Sequence, residues 1–133
     1  MLYILKYLST TSSFSFSREG ALGYYVLEDE AHVVGFGLMK LLLPFSVFMT
    51  RGILTIFIQP EYTHKSIGKK VLDQLSDDAK KMGMTSLVAN MASKNRANIL
   101  FHTRHGISEV GRLLNAGSKF GEHFDVILMQ KML

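Results

Sequence analysis

Residues 53–58 (ILTIFI), the loop 59–68 (QPEYTHKSIG) and the run 67–82 (IGKKVLDQLSDDAKKM) decide how this chain folds. The first is apolar without alternation and rich in β-branched residues. It reads as a central strand covered on both faces. In the third, apolar residues recur at 67, 71, 72, 75, 79 and 82, the stripe of an amphipathic helix, and Gly83 follows as its stop. Lys69, Lys70, Asp73, Asp77, Lys80 and Lys81 fall on the opposite face. Residues 85–91 (TSLVANM) read as a second buried strand. Two buried strands flanking one helix form a βαβ unit, with the strands parallel and adjacent.

Outward from this unit the pattern changes. Residues 23–28 (GYYVLE) and 32–41 (HVVGFGLMKL) read as a hairpin closed by Asp29, Glu30 and Ala31. Gly35 and Gly37 inside the returning strand imply a bulge or the close approach of another backbone. Tyr24, Tyr25, Phe45 and Phe48 are expected in the core. Past the βαβ unit, Asn95 caps a short helix ending near His105, with Gly106 at its stop. Residues 107–114 and 123–132 read as the last two strands, with a Gly-rich turn over 116–121. The expected fold is α/β: a mixed, mostly antiparallel sheet with a central parallel βαβ unit and flanking helices.

At 133 residues the chain is one domain, and 47% hydrophobic with 20% charged residues is ordinary globular composition. With no cysteine, disulfides, thiolate zinc sites, iron–sulfur clusters and a cysteine nucleophile are excluded. A cytoplasmic setting fits. No apolar run reaches the ~18 residues of a membrane span. Residues 1–17 hold no acid, one lysine and seven Ser or Thr. They read as a short helix or strand over 2–8 followed by a polar linker, not as a leader.

Fifteen basic against 11 acidic side chains give a net charge of +4 and a pI near 9.4, which calls for an anionic partner. The loop 59–68 joins a buried strand to a helix N-terminus, where unpaired N–H groups and the helix dipole favour an anion. Lys65, Lys69 and Lys70 add charge there. The alternative is a solvated basic helix end. A Walker A loop is excluded, because Thr63 stands where it needs glycine and Lys70 where it needs Ser or Thr. Nucleic acid is the weakest partner. The lysines alternate with Asp73, Asp77 and Asp78, and no stacking motif accompanies them.

Three segments, in order and spacing, resemble the GNAT superfamily of N-acetyltransferases, most closely its phosphinothricin acetyltransferase-like branch. The branch pattern Y-V-x-P, then x-Y-R-G-K-G-I-G-K-x-L-L, is met by Phe57, Ile58, Gln59 and Pro60 and by the run from Glu61 to Leu72. Its N-x-x-S-x-x-L-H-x-x-x-G-F is met by Asn95, Asn98, Phe101, His102, Gly106 and Ile107. Its C-terminal pattern is met by Val110, Gly111, Ala116, Gly117, Lys119, Phe120, Gly121, Asp125, Val126, Met129 and Gln130. The resemblance covers residues 20–133. Residues 1–19 are expected to be divergent, with the family's first strand and much of its first helix missing.

The resemblance implies acetyl-CoA as donor, a small amine as acceptor, direct attack on the thioester and no metal. It implies that the two parallel strands splay to admit the pantetheine arm. Ile58, His64, Lys65, Ser66, Ile67, Gly68, Lys69, Asn95 and Asn98 are then the cofactor-binding residues. The pyrophosphate would lie over the backbone of the loop. A homodimer is expected, since a missing first strand leaves a sheet edge open.

Departures from the family pattern carry their own expectations. The family's arginine is Thr63, and His64 and Ser66 replace two loop glycines, leaving Gly68. Ser66 could still cap the helix. The usual general-base glutamate is Ile53, which takes no proton. Glu61 is the nearest replacement, acting through water, or is simply solvated. His102 holds the slot of the acid that protonates the thiolate, or is a packed helix histidine. With His105 it could hold a metal at i, i+3, but no third ligand stands nearby. Asn95 bonds the pantetheine arm, caps its helix, or both. Lys119 and Asp125 shape the acceptor pocket or form a structural ion pair. An active transferase competes with a catalytically impaired CoA-binding or protein-interaction module.

Overall fold

A computed structural model describes residues 2–6, 21–42, 50–63 and 66–133. One seven-stranded sheet runs through them in the order β1-β2-β3-β4-β5-β7-β6. Its strands are β1 (Leu2–Lys6), β2 (Ala21–Asp29), β3 (His32–Leu41), β4 (Arg51–Ile58), β5 (Ser86–Ala92), β6 (Ser108–Lys119) and β7 (Glu122–Met132). Helix α1 (Ile67–Lys81) links β4 to β5, and α2 (Arg96–Arg104) links β5 to β6. The β4–β5 pair is parallel and every other pair antiparallel, as the βαβ reading requires.

The helix stripe does what its spacing demands. Val71, Leu72 and Leu75 are fully buried against Leu27, Met39, Leu54, Leu87 and Met129. Each such side chain stabilises by about 1.5–3 kcal/mol relative to exposure. The helix sits close to the sheet because β3 has no side chain beneath it at one point. A Cβ on Gly37 would come 2.3 Å from Val71 Cγ1. Close approach, not a bulge, explains Gly37; the irregularity in this hairpin lies in β2, between Leu27 and Glu28. Tyr24, Val26 and Leu38 are buried on the opposite face, with Val33 and Phe36 against them.

Four expectations need correcting. The strand over 53–58 is central but not covered on both faces, because Phe57 is 53% exposed. The Gly-rich stretch 116–121 is not a turn. β6 continues to Lys119, and only Phe120 and Gly121 turn, both with positive φ. The strand absorbs the extra length in a bulge between Leu113 and Gly117, where Asn115 takes φ 49°. Gly117 is required there by packing, since a Cβ would enter the Phe124 ring. Finally, β1 pairs along β2, so the sheet edge expected to stand open is occupied by Leu2–Lys6. Phe45, Phe48, and residues 7–20 lie outside the described residues. No described helix is long and apolar enough to cross a membrane.

Candidate active site

β4 and β5 pair only at their N-terminal ends, where Arg51, Gly52 and Ile53 face Ser86, Leu87 and Val88. Beyond these residues the strands part. β4 continues to Ile58 beside β3, and β5 continues to Ala92 beside β7. The Gln59 N–H donates a 2.8 Å hydrogen bond to the Val34 carbonyl, toward β3. Backbone direction alternates along a strand, so the N–H and C=O groups of Ile58 and Ile56 turn toward the gap. An amide-bearing chain laid there would find a strand edge to bond.

The gap opens onto the loop. Gln59 leads into a 3₁₀ turn, Pro60–Tyr62, and the Thr63 hydroxyl donates to the Pro60 carbonyl at 2.8 Å. Tyr62 pins the turn to the β2–β3 hairpin by donating a 2.6 Å hydrogen bond to Asp29. That bond, above all, raises the phenol's pKa. Glu61 is exposed on the same turn. His64 and Lys65 lie outside the described residues.

Ser66 stands at the helix N-cap but does not cap it. Its φ of 58° is left-handed, and its side chain makes no capping hydrogen bond. The expected cap is thus corrected: a left-handed backbone aims the side chain away from the first turn. The N–H groups of Ile67, Gly68 and Lys69 precede the first bond of the ladder, Lys70 N–H to Ser66 O at 3.3 Å. Gly68 has a packing reason to lack a side chain, since a Cβ there would lie 2.7 Å from the Phe101 ring and 3.2 Å from Ile58 Cδ1. Two of the expected lysine charges are otherwise engaged. Lys69 pairs with Asp73 at 2.8 Å, and Lys70 lines a groove with Tyr25, Gln74 and Asp78.

On α2, Asn95 is the N-cap: its side chain accepts from the Asn98 N–H at 3.2 Å. Its amide NH₂ remains a donor. His102 is 2% exposed. Its Nδ1 lies 2.8 Å from the Asn98 carbonyl, which only accepts, so Nδ1 carries the hydrogen and Nε2 the lone pair. Burial is the main cause holding its pKa below the ordinary histidine value, so the ring is neutral at pH 7. At neutral pH it therefore offers an acceptor, not the proton expected of an acid. His105 packs edge-on to Phe101. No cluster of three metal-ligating side chains occurs among the described residues.

Lys119 and Asp125 do not form the expected pair. Lys119 lies over the exposed Phe120 ring at 5.5 Å, at the tip of the β6–β7 hairpin. Asp125 accepts from Asn115 N–H at 2.9 Å and Arg112 at 3.1 Å, which hold its pKa below the usual carboxylate range. Its own N–H and C=O bond Ser93. Asp125 thus braces the bulge of β6 against the end of β5. Neither Arg112 nor Ser93 is marked in the sequence, because their partners lie far along the chain.

An acetyltransferase (GNAT) family model matches residues 4–107. The chain belongs to the GNAT acetyltransferase family. It is 31% identical over 114 residues to the L-methionine sulfoximine/L-methionine sulfone acetyltransferase of Salmonella typhimurium, covering 84% of this chain and 67% of that protein. It is 28% identical to the L-amino acid N-acyltransferase MnaT of Escherichia coli, covering 89% of this chain and 70% of that one. The fold matches the yncA acetyltransferase of Salmonella typhimurium, solved with acetyl-CoA (TM-score 0.76, 28% identity, 86% of this chain and 65% of that chain). It also matches a phosphinothricin acetyltransferase from Sinorhizobium meliloti in complex with acetyl-CoA (TM-score 0.76, 25% identity, 86% and 62%). Within a GNAT frame, the gap and the loop fit the two ends of acetyl-CoA: strand-edge amides for the pantetheine arm and first-turn N–H groups for the pyrophosphate.

Proposed function

We propose that this chain transfers the acetyl group of acetyl-CoA directly to the amine of a small, amino-acid-like acceptor. The parting of β4 and β5 above the N-terminus of α1 is the observation that carries this reading. Ile58 lies along the gap, Ile67, Gly68 and Lys69 present N–H groups at its end, and His64 and Lys65 belong to the same loop. Asn95 offers its NH₂ and Asn98 orients His102. The acceptor nitrogen forms a bond to the thioester carbonyl carbon, the carbon–sulfur bond breaks, and CoA leaves as thiolate. The ammonium proton passes to water, with Glu61 as the nearest carboxylate on the loop. The names of the bacterial relatives, which act on L-amino acids and methionine derivatives, support the acceptor class.

A homodimer belongs to the same reading. β6 is a 12-residue edge strand carrying exposed Val110, Leu113 and Leu114. The cysteine-free sequence supports a cytoplasmic setting. Lys119 and Asp125 contribute to the acceptor side through the hairpin they hold, not by pairing. The test is calorimetric titration with acetyl-CoA, CoA and pantetheine, followed by thiol-release kinetics over an amine panel. CoA should bind at least tenfold more tightly than pantetheine, and an amino-acid amine should be acetylated.

One observation favours a second reading, a CoA-binding module without turnover. Ile53, at the usual base position, pairs in register with Lys40, which leaves no proton acceptor on that rung. Tight acetyl-CoA binding with no acetylation across the panel would select it.

A further inference from the structure

Given the transferase reading, we propose that Phe57, stacked on Phe36, is the wall that selects the acceptor's side chain, and that it selects an uncharged, apolar one. The two faces of the sheet differ at the gap. Leu54, Ile56 and Ile58 pack with α1, so Thr55 and Phe57 point to the opposite face. On β5, Leu87, Ala89 and Met91 join the α1 core, so Asn90 also points to that opposite face and is exposed. α1 and α2 fill the first face. An acceptor reaching a thioester in the gap therefore comes from the second, past Thr55, Phe57 and Asn90.

Phe57 is the large exposed apolar group at this mouth. Its ring is 53% exposed and stacks on Phe36 with centroids 5.9 Å apart and planes 28° from parallel. The contact fixes the ring from behind while leaving a face open. Half of a phenyl ring left in water is apolar surface that a ligand covers favourably, at about 25 cal/mol per Å². Charge at the mouth settles which side chain it takes. Neither β4 (RGILTIFI) nor β5 (SLVANMA) contains an acidic residue. A basic or polyamine acceptor would meet no carboxylate from these strands, and an acidic one would bury its charge against a phenyl ring. An aliphatic or thioether side chain suffers neither cost.

The test uses the full chain saturated with CoA and titrated with L-leucine, L-methionine, L-serine, L-aspartate and L-lysine. Leucine and methionine should bind at least tenfold more tightly than the other three. Phe57→Ala should weaken leucine and methionine at least fivefold, leave serine within twofold, and leave CoA affinity unchanged. Phe57→Leu should restore most of the preference. The substitution is half-exposed, so the fold survives it; a melting curve verifies this. Equal affinity of the wild-type protein for all five amino acids overturns the proposal while the transferase reading stands. So does a Phe57→Ala loss shared by serine, or one that light scattering traces to dissociation of a dimer. Leucine preference and CoA binding with no acetylation leave the selection intact and overturn the transferase reading. Failure of the wild-type protein to bind CoA overturns both.

Discussion

The Tyr25 hydroxyl donates a 2.6 Å hydrogen bond to Asp78 Oδ2 across the buried seam between β2 and α1. The two residues are 53 positions apart. The bond ties the first hairpin to the helix that carries the anion loop. Burial and the Asp78 carboxylate both raise the pKa of the Tyr25 phenol. A hydrogen bond to a charged group contributes roughly 1.5–3 kcal/mol, so Tyr25→Phe should destabilise by about that amount at pH 7. The alkaline limb gives a second reading. The folded phenol ionises later than the unfolded one, near pH ~10, so its contribution is full below pH ~10 and is lost as pH rises through the folded value. Urea denaturation between pH 8 and 11 should show a steeper loss in the wild-type protein than in Tyr25→Phe.

Ser66 holds φ 58° at the mouth of the helix without a compensating cap bond. A side chain in the left-handed region costs roughly 1–2 kcal/mol, part of which glycine returns as unfolded-state entropy. Ser66→Gly should raise stability by about 0.5–1 kcal/mol, measured by denaturant midpoint at constant slope. The same position faces the proposed phosphate cradle. Ser66→Asp should weaken CoA at least tenfold by placing a carboxylate against the pyrophosphate, and should leave pantetheine affinity unchanged.

The βαβ unit was legible because strand, helix stripe and stops at Gly83 and Gly106 agree with one another locally, and both glycines take positive φ where the stops fall. The hairpin 32–41 was legible for the same reason. The β6–β7 hairpin was misread. Glycine at 117 signals a turn by composition, yet it is there to clear the Phe124 ring, a contact the sequence does not display. The site divided in the same way. Asn95 and its cap follow from local spacing. The left-handed Ser66, the Asp73 partner of Lys69 and the open face of Phe57 depend on how loop, helix and sheet meet. The aromatic end of β4 did carry one usable signal, since ligands collect at the carboxyl ends of parallel strands.

The β6 edge predicts its own dissociation assay. Leu114 is 74% exposed and Leu113 52%, both in the long unpaired flank of the sheet. An apolar edge of this length favours pairing with a second copy, and a buried charge opposes it. Wild-type protein at micromolar concentration should scatter as a dimer. Leu114→Asp should shift it to monomer while keeping its circular dichroism. Two monomeric species would end the dimer proposal.

His102 separates two roles that its position allows. Burial lowers its pKa, so the folded protein takes up this proton at lower pH than the unfolded chain, whose histidine titrates near pH ~6.5. Its contribution to stability is therefore present above pH ~6.5 and is lost as pH falls through the folded value. His102→Gln should flatten the fall in stability between pH 7 and 5. Catalysis gives the complementary test. A neutral ring with hydrogen on Nδ1 and a lone pair on Nε2 has no proton to give the leaving sulfur. CoA thiol is itself acidic enough to depart near neutral pH with little help. His102→Phe should then lower kcat by about tenfold or less, below the ~10²–10⁴-fold range of general acid–base catalysis. CoA affinity should hardly change. A loss of 10³-fold, with an acidic limb in the pH–rate profile that disappears in the variant, would instead make the imidazolium the acid. That limb would have to lie below pH ~6.5, where this buried ring can hold its second proton.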